Sequence, residues 1–352
     1  MKQDQTSVSK KDTGQRAIVA ELYANAAMRT SQLAEKLGVS AETIRRDIEE
    51  LTERQMINRT YGGATGRHVG LQPVFDERTA LGLVHEAIAL GVTLFDTGAS
   101  YSAGEAEPRL GRALKGRDAS GLVIATKAGT WHAGGGRIAR DMTPQAIVAS
   151  AERSLRQLGL DSLGLLQLHG PAASELTDEM FAALDGLKRR GLVRAVGLNS
   201  FDPAVVEHAI GLPGIDVVMV DYNVLRPERE PLIARAAAAG KGVLAGMPLA
   251  MGHTRPLLSR LRAPQDLWYA ARAVAHHRGE LAKGRPFRFL HRLPEITGSQ
   301  ASLAYVLANA HVSAAVFGAT RPAHLRENLG ASGLILSDAV MRQIRDAQDV
   351  TC

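Results

Sequence analysis

The chain has 352 residues, of which 45% are hydrophobic, so its length and composition exclude a disordered protein and predict either two domains or one large barrel with an appendage. No apolar run is long enough to span a membrane, no cluster of cysteine and histidine has metal-ligand spacing, and the net charge of +6 is concentrated between residues 253 and 296. The single cysteine, Cys352, and a polar start without an apolar signal core lead us to expect a cytoplasmic protein with no metal.

The N-terminal part predicts a small helical domain, residues 14–66, behind a mobile tail of residues 1–13. Apolar residues at helical spacing predict a first helix within 14–28, a short second helix from Ser31 to Leu37, and a third helix over about 41–53. A tight turn at Gly38-Val39 separates the second helix from the third.

The third helix has the features of a DNA-recognition helix. Ser40 suits an N-cap, and the outer face carries Thr43, Arg45 and Arg46. An arginine in this place can fork onto a guanine edge or pair with a phosphate. The spacing therefore predicts DNA binding through residues 14–66, and because such a helix reads little DNA alone, we expect a homodimer on paired half-sites.

Two stretches of this region resemble the DeoR family of repressors. They are Leu33 to Asp47 and Arg59 to Ala64. The second stretch overlaps a hairpin wing that we expect from Gln55 to Gly63. The resemblance implies a winged helix-turn-helix domain that binds DNA. Two interpretations stay open: a working DNA-binding module, and a folded appendage that no longer reads DNA.

After residue 68, predicted strands and helices alternate, which is typical of a parallel α/β domain. The predicted strands are 92–97, 122–127, 163–169, 193–199, 217–223, 242–248 and 314–319. They predict a (β/α)8 TIM barrel over residues 67–352, for which one strand is missing. The remaining candidate, residues 59–65, would have to serve both as the wing and as the first barrel strand. Either this strand is shared or the barrel opens irregularly.

Four ionisable residues stand at or just after the ends of these strands: Asp96, Tyr101, Lys127 and His169. The carboxyl ends of parallel strands are where barrel enzymes place their chemistry. A lysine ammonium beside a tyrosine lowers the pKa of the phenol, and an aspartate can orient the lysine. A histidine beside them can hold a carbonyl oxygen. These four residues therefore predict a proton donor for an alkoxide that forms during hydride transfer.

The same residues lie in stretches that resemble the aldo-keto reductases. These stretches are Phe95 to Thr97, Tyr101, Gly104 to Glu107, Leu110-Gly111, Ile124 to Lys127, Leu168-His169, Val196 to Phe201, Met247 to Leu249 and Glu327-Asn328. They run in order from about residue 62 to residue 350. The resemblance implies a (β/α)8 barrel with a nicotinamide cofactor and with Asp96, Tyr101, Lys127 and His169 as its catalytic residues.

The resemblance also implies which residues hold the cofactor. Those expected at its nicotinamide end are Asn199, Ser200, Pro248 and Leu249, and those expected at its adenosine end are Thr320, Arg321, His324, Glu327 and Asn328. Two positions depart from the family pattern, because Met219 stands where a glutamine is usual and Gly246 where an aromatic residue usually stacks under the nicotinamide. The residues after Gly246 resemble the galactose and threo-aldose dehydrogenases. This resemblance points to a sugar or sugar-like substrate, with NADP favoured and NAD as the alternative cofactor.

The basic segment, residues 250–298, follows the seventh predicted strand. It interleaves arginines with Trp268, Tyr269, Phe287 and Phe289. Two interpretations are open: a lid that binds an anionic substrate or a cofactor phosphate, and an amphipathic excursion that packs its aromatic residues on the barrel and leaves its arginines in water.

Taken together, the motifs predict an NAD(P)H-dependent oxidoreductase that acts on the carbonyl of a sugar or sugar-like molecule, or on the corresponding alcohol, and that carries a DNA-binding module. The alternative is a DeoR-like transcriptional regulator that uses the barrel as a sugar or redox sensor. The residues at the strand ends favour the enzyme, and the recognition helix favours the regulator.

Overall fold

The computed structural model describes residue 15, residue 18 and the ranges 27–53, 57–60, 63–66, 77–134, 137–255 and 278–350. The chain separates into two compact units. The first unit comprises residues up to 72 together with 133–137, and the second comprises the rest. The predicted tail, residues 1–13, lies outside the described residues.

The N-terminal unit combines helices with a small antiparallel sheet. Its elements are β1 (Ala27–Arg29), α1 (Thr30–Leu37), α2 (Ala41–Glu53), β2 (Ile57–Thr60) and β3 (Gly63–Gly66). Ile18, Leu33, Ile44, Ile48 and Leu51 form its buried core. The backbone N–H of Thr43 donates to the Ser40 hydroxyl over 3.1 Å, so Ser40 caps α2 as its sequence position predicts.

The predicted first helix needs one correction. Gln15 and Ile18 are helical, but Ala27 to Arg29 form a strand that pairs antiparallel with β3. A two-stranded hairpin is marginal alone, and this third strand satisfies the backbone groups of its open edge. Sheet pairing therefore replaces the predicted helix at residues 27 and 28.

The second unit is built on a seven-stranded parallel sheet whose strands follow one another in chain order. They are β4 (Leu94–Asp96), β5 (Val123–Ala128), β8 (Leu163–His169), β9 (Val193–Asn199), β10 (Val217–Asp221), β11 (Gly242–Gly246) and β12 (Ala314–Val316). A short antiparallel pair, β6 (Thr130–His132) and β7 (Ile138–Arg140), follows β5. All seven predicted barrel strands are therefore confirmed, with ends shifted by up to three residues.

Helices connect these strands and cover the outer face of the sheet. They are α3 (Glu77–Ala89), α4 (Ala106–Leu114), α5 (Pro144–Leu158), α6 (Asp178–Arg189), α7 (Pro203–Ile210), α8 (Glu230–Ala238), α9 (Arg278–Lys283), α10 (Gly298–Leu307), α11 (Pro322–Leu329) and α12 (Asp338–Asp349). Inside the sheet, Ala125, Leu165, Met219 and Leu244 form a separate apolar layer. None of the helices that the structure describes is both long and apolar enough to cross a membrane.

The barrel is nearly closed and has seven described strands instead of eight. Residues 57–60 and 63–66, which cover the candidate for a shared strand, pair with each other and with β1 in the other sheet. Residues 57–60 and 63–66 therefore pair within the hairpin sheet and make no pairing with the described strands of the barrel. The hairpin pairing closes a very short loop, which costs less chain entropy than pairing across the barrel. Between the edge strands β4 and β12 lies an apolar cavity of about 490 Å³.

The basic segment is described only at its two ends. Phe287 is fully buried and Phe289 packs against the main core, whereas Arg285 and Arg288 are exposed. The C-terminal end of the segment, residues 278–298, therefore agrees with the amphipathic interpretation. Trp268 and Tyr269 lie outside the described residues, so both interpretations stay open for the middle of the segment.

Candidate active site

The carboxyl edge of the sheet brings the four predicted ionisable residues together. Asp96 is the last residue of β4, Lys127 is the penultimate residue of β5, and His169 is the last residue of β8. Tyr101 begins a short 3-10 turn that follows β4. Parallel pairing of β4 with β5 and of β5 with β8 places these strand ends side by side.

Lys127 and Asp96 form a buried ion pair. The Lys127 Nζ donates to Asp96 Oδ2 over 2.5 Å and to the Thr97 carbonyl over 3.1 Å. Only 1% of the lysine side chain and 8% of the aspartate side chain are exposed. Because an unpaired charge in such a place is strongly unfavourable, each partner holds the other in position.

Tyr101 lies against both Lys127 and His169. Lys127 Nζ is 4.8 Å from the centroid of the Tyr101 ring, and the Tyr101 and His169 rings meet edge to face with centroids 5.9 Å apart. Burial raises the pKa of Tyr101, while the charge of Lys127 and its hydrogen bond to the phenol lower it and Asp96 raises it. The net direction is upward, because the partial burial of the ring opposes the ammonium, whose own effect on the pKa has the direction expected from the sequence. The phenol is consequently protonated at neutral pH.

His169 is held as a neutral ring. Burial, followed by the charge of Lys127, lowers the pKa of His169 to about 4. Its Nδ1 lies 2.5 Å from the Thr130 hydroxyl. If Thr130 donates in this bond, Nε2 carries the remaining ring proton and is a hydrogen-bond donor.

Two supporting residues were missed in the sequence. Gln167 Nε2 donates to Asp96 Oδ1 over 2.8 Å, so both carboxylate oxygens of Asp96 are engaged. Gln167 precedes His169 by two residues on one strand, and this period of two is a signal that could have found it. Thr130 belongs to β6 and meets His169 through the fold, so the spacing along the chain does not indicate their contact.

The residues expected at the nicotinamide end lie at the ends of the next strands. Asn199 and Ser200 are buried, Pro248 is buried, and Leu249 is half-buried. Asn199 pairs in register with His169, so the two groups of residues adjoin. The Asn199 Nδ2 donates to the Met219 sulfur over 2.7 Å, which is a weak acceptor for an amide. A polar ligand amide can compete for such a donor, so this set of residues fits a carboxamide.

The residues expected at the adenosine end follow β12 and lie on or beside α11. Thr320, Arg321 and His324 are exposed, Glu327 is half-buried and Asn328 is buried. An exposed arginine directly before a helix N-terminus suits an anionic group. These residues therefore fit a dinucleotide with a phosphate, although they are spread along the surface.

Backbone strain is concentrated beside these residues. The non-glycine residues with positive φ in the described chain are Ser102, Ala103, Met247, Ala250 and Met251. The first two follow Tyr101 directly, and the other three flank Pro248 and Leu249. Such conformations persist only where the surrounding structure enforces them, and they gather at functional sites.

The three side chains of α2 that the sequence predicts to bind DNA differ in exposure and in hydrogen-bond partners. Arg46 is exposed, Arg45 pairs with Glu42 over 3.0 Å, and Thr43 is half-buried with its hydroxyl 2.9 Å from the Ser40 hydroxyl. The side chains of Arg45 and Arg46 are both exposed.

Over residues 61–349 the sequence matches the model of the aldo/keto reductase family. The chain belongs to this family. It is therefore an enzyme of the aldo-keto reductase type, and the resemblance to that family is confirmed. Residues 15–68 match the model of the DeoR-like helix-turn-helix domain, which confirms the resemblance of the N-terminal part. The two matches overlap at residues 61–68.

Individual relatives show the same likeness. The chain is 25% identical to the NADH-specific methylglyoxal reductase of Escherichia coli (strain K12), over 77% of this chain and 89% of that protein. It is 26% identical to the D-threo-aldose 1-dehydrogenase of a Pseudomonas species, over 73% and 84% respectively. Its structure resembles the holo form of an aldo-keto reductase from Bacillus halodurans with a TM-score of 0.64 and 26% identity, over 77% of this chain and 88% of that one.

Proposed function

We propose that the chain catalyses NAD(P)H-dependent reduction of a carbonyl in a sugar or sugar-like substrate, or the reverse oxidation. The observation that carries the proposal is the contact of the Tyr101 phenol with Lys127, which is itself buried against Asp96. A phenol, an ammonium and a carboxylate in this order form a proton donor whose conjugate base is stabilised.

The proposed roles follow from the charges. A bound nicotinamide cofactor would supply the hydride. As negative charge develops on the substrate oxygen, Tyr101 transfers its hydroxyl proton to that oxygen, and the Lys127 ammonium stabilises the phenolate that remains. Asp96, held by Gln167, balances the charge of Lys127 in the core. Neutral His169 donates a hydrogen bond to the same oxygen and orients it.

The cofactor would be held at its nicotinamide end by Asn199, Ser200, Pro248 and Leu249. Its adenosine end would lie along Thr320, Arg321, His324, Glu327 and Asn328. NADP is favoured on the family resemblance and by the exposed charge of Arg321. Because the Escherichia coli relative is named NADH-specific, both cofactors belong in any test. The aldose dehydrogenase relative supports a sugar or sugar-like substrate.

The decisive experiment is the substitution Tyr101→Phe, which removes the proton donor and keeps the ring. General acid catalysis is worth about 10²–10⁴-fold, so turnover of aldehydes and aldoses should fall at least a hundredfold. Cofactor affinity should change little. Tyr222→Phe is the matched control, since the Tyr222 hydroxyl bonds Glu230. Activity of Tyr101→Phe within a few fold of the parent would disprove the proposed role.

We propose a second function, DNA binding by residues 14–66, with the barrel over residues 67–352 as the enzymatic or sensing part. The observation that favours it is the exposed Arg46 on α2, beside the exposed pair Arg45 and Glu42. Such a helix presents arginines to the major groove, where a bidentate contact to guanine is worth about 1–3 kcal/mol.

The DNA proposal is tested by selecting bound sequences from a genomic DNA pool with the full chain, with and without NADPH. We expect enrichment of paired half-sites about one helical turn apart, or a multiple of it. Arg46→Ala should then weaken binding at one base, whereas Arg16→Ala is a charge-matched control outside α2. If no sequence is enriched, the helix-turn-helix is a folded appendage.

A further inference from the structure

Two aromatic rings lie among the exposed large hydrophobic side chains of the described residues, and both follow barrel strands at the carboxyl edge. Tyr101 is 37% exposed and Phe201 is 44% exposed. Tyr101 has a proposed role as the proton donor. Phe201, two residues after Asn199, has none, although burying such a ring is favourable for any ligand that covers it.

The Phe201 ring borders the space above Gly246. A Cβ atom on Gly246 would lie 3.5 Å from Phe201 Cε1 and 3.5 Å from Met219 Cγ. These are ordinary van der Waals separations, so the ring stands beside the place where a larger residue at position 246 would project. The absence of a side chain at Gly246 leaves one edge of the ring uncovered.

The backbone of Phe201 is held rigidly from below. Arg229 Nη2 donates to the Phe201 carbonyl over 3.3 Å, and Arg229 Nε donates to Asp221 Oδ1 over 2.9 Å. Asp221 also pairs with Arg226 over 3.0 Å. This buried charge network therefore holds the backbone that carries the ring.

The neighbours of Phe201 supply polar partners for a flat amide. Asn199 and Ser200 directly precede it, and Asn199 is paired in register with His169. A pyridine carboxamide needs a flat apolar surface for its ring and hydrogen-bonding groups for its amide. These requirements are met here by consecutive residues of one strand end.

We propose that Phe201 supplies the flat surface for the nicotinamide ring of the cofactor, in the space that Gly246 leaves open, with Asn199 and Ser200 beside the carboxamide. This inference rests on the proposed reductase function. It assigns Phe201 as a cofactor-positioning residue and explains how a glycine is tolerated at position 246.

The test compares a whole cofactor with a fragment that lacks nicotinamide. NADPH, NADH and 2′-phospho-ADP-ribose are titrated by calorimetry into the parent, Phe201→Ala and Phe201→Leu proteins. We expect Phe201→Ala to weaken the affinity for NADPH roughly three- to tenfold and to leave the affinity for the fragment unchanged. The NADPH affinity of Phe201→Leu should lie between those of the parent and of Phe201→Ala. Leu307→Ala is the matched control, since Leu307 is an exposed apolar residue with 41% exposure.

A rescue variant distinguishes loss of the aromatic surface from damage to the fold. In Phe201→Ala combined with Gly246→Tyr, a ring returns from the end of β11, and we expect NADPH affinity to recover. Equal NADPH affinity in the parent and in Phe201→Ala would overturn the proposal. A raised KM for the sugar with unchanged cofactor affinity would also overturn it, because the ring would then serve the substrate. A parent protein that binds neither NADPH nor NADH would overturn the proposed function itself.

Discussion

Two regions at the carboxyl edge of the sheet differ in how firmly the structure holds their polar groups. In the proton-handling region, defined by Asp96, Tyr101, Lys127 and His169, hydrogen bonds, an ion pair and ring contacts join neighbouring side chains. The cofactor region is defined by Asn199, Met219, Gly246 and the residues around Arg321. There the Asn199 amide donates to the Met219 thioether, and the Arg321 side chain is exposed.

The difference follows from burial of charge. An ammonium and a carboxylate inside the core need partners in the folded protein itself, so their geometry is complete without a ligand. In the cofactor region, the exposed Arg321 can bond water, and the buried Asn199 amide has only the weak thioether acceptor of Met219, so both can take a stronger partner from a cofactor. On the proposed function, the proton-handling region therefore contributes to stability as well as to chemistry, whereas the cofactor region contributes mainly to binding.

The largest expected effect comes from Lys127→Met, which breaks the buried pair. We expect the free energy of unfolding to fall by about 3–5 kcal/mol, because the Asp96 carboxylate is left buried without its partner. Activity should fall at least a hundredfold, since the phenolate loses its stabilising charge. Urea denaturation and steady-state kinetics measure the two effects.

A double variant separates these two contributions. Lys127→Met with Asp96→Asn removes both charges, so stability should recover in part while activity stays low. Lys241→Met is a control, because the Lys241 ammonium bonds the carbonyls of Leu212 and Ile215 near the surface. If Lys127→Met is as stable as the parent, the two regions do not differ as described.

The strands of the barrel and most of the proton-handling region could be predicted from the sequence. Apolar runs indicated the strands, and the ends of parallel strands share one edge, which placed Asp96, Lys127 and His169 together. The net pKa direction of Tyr101 did not follow, because it depends on burial, which chain spacing does not reveal. Nor did the contact of Thr130 with His169, since two strands bring them together. Residues 57–66 suit either of two sheets, and local hairpin pairing decides between them.

A second prediction concerns the pH dependence of stability. The unfolded chain takes up a proton on His169 near pH 6.5, whereas the folded protein keeps the ring neutral down to a pKa of about 4. Between these values the unfolded state binds more protons, so the free energy of unfolding rises with pH from about 4 to 6.5 and is level above. The expected change is at most about 3 kcal/mol.

This pH dependence is measured by chemical denaturation from pH 4 to pH 8 in the parent and in His169→Gln. The variant lacks the titrating ring, so its free energy of unfolding should fall less steeply than that of the parent as the pH falls from 6.5 to 4. A parallel pair of curves would show that His169 titrates normally, and it would remove one of the constraints assigned to the proton-handling region. His208→Gln serves as the control, because His208 is an exposed histidine on α7.

The smallest expected effect is a gain of binding in the cofactor region through Met219→Gln. The thioether of Met219 is only a weak acceptor, whereas a glutamine at this position offers the carboxamide of the cofactor both a donor and an acceptor. A net hydrogen bond is worth about 0.5–1.5 kcal/mol, part of which is lost in burying the new amide, so NADPH affinity should rise by roughly threefold. Fluorescence titration of NADPH measures this, with Met219→Leu as a control that removes the sulfur and adds no amide. Weaker NADPH binding by the glutamine variant would contradict this prediction. It would mean that the polar groups of the cofactor region already have the partners they need, and that the two regions differ only in how much charge they bury.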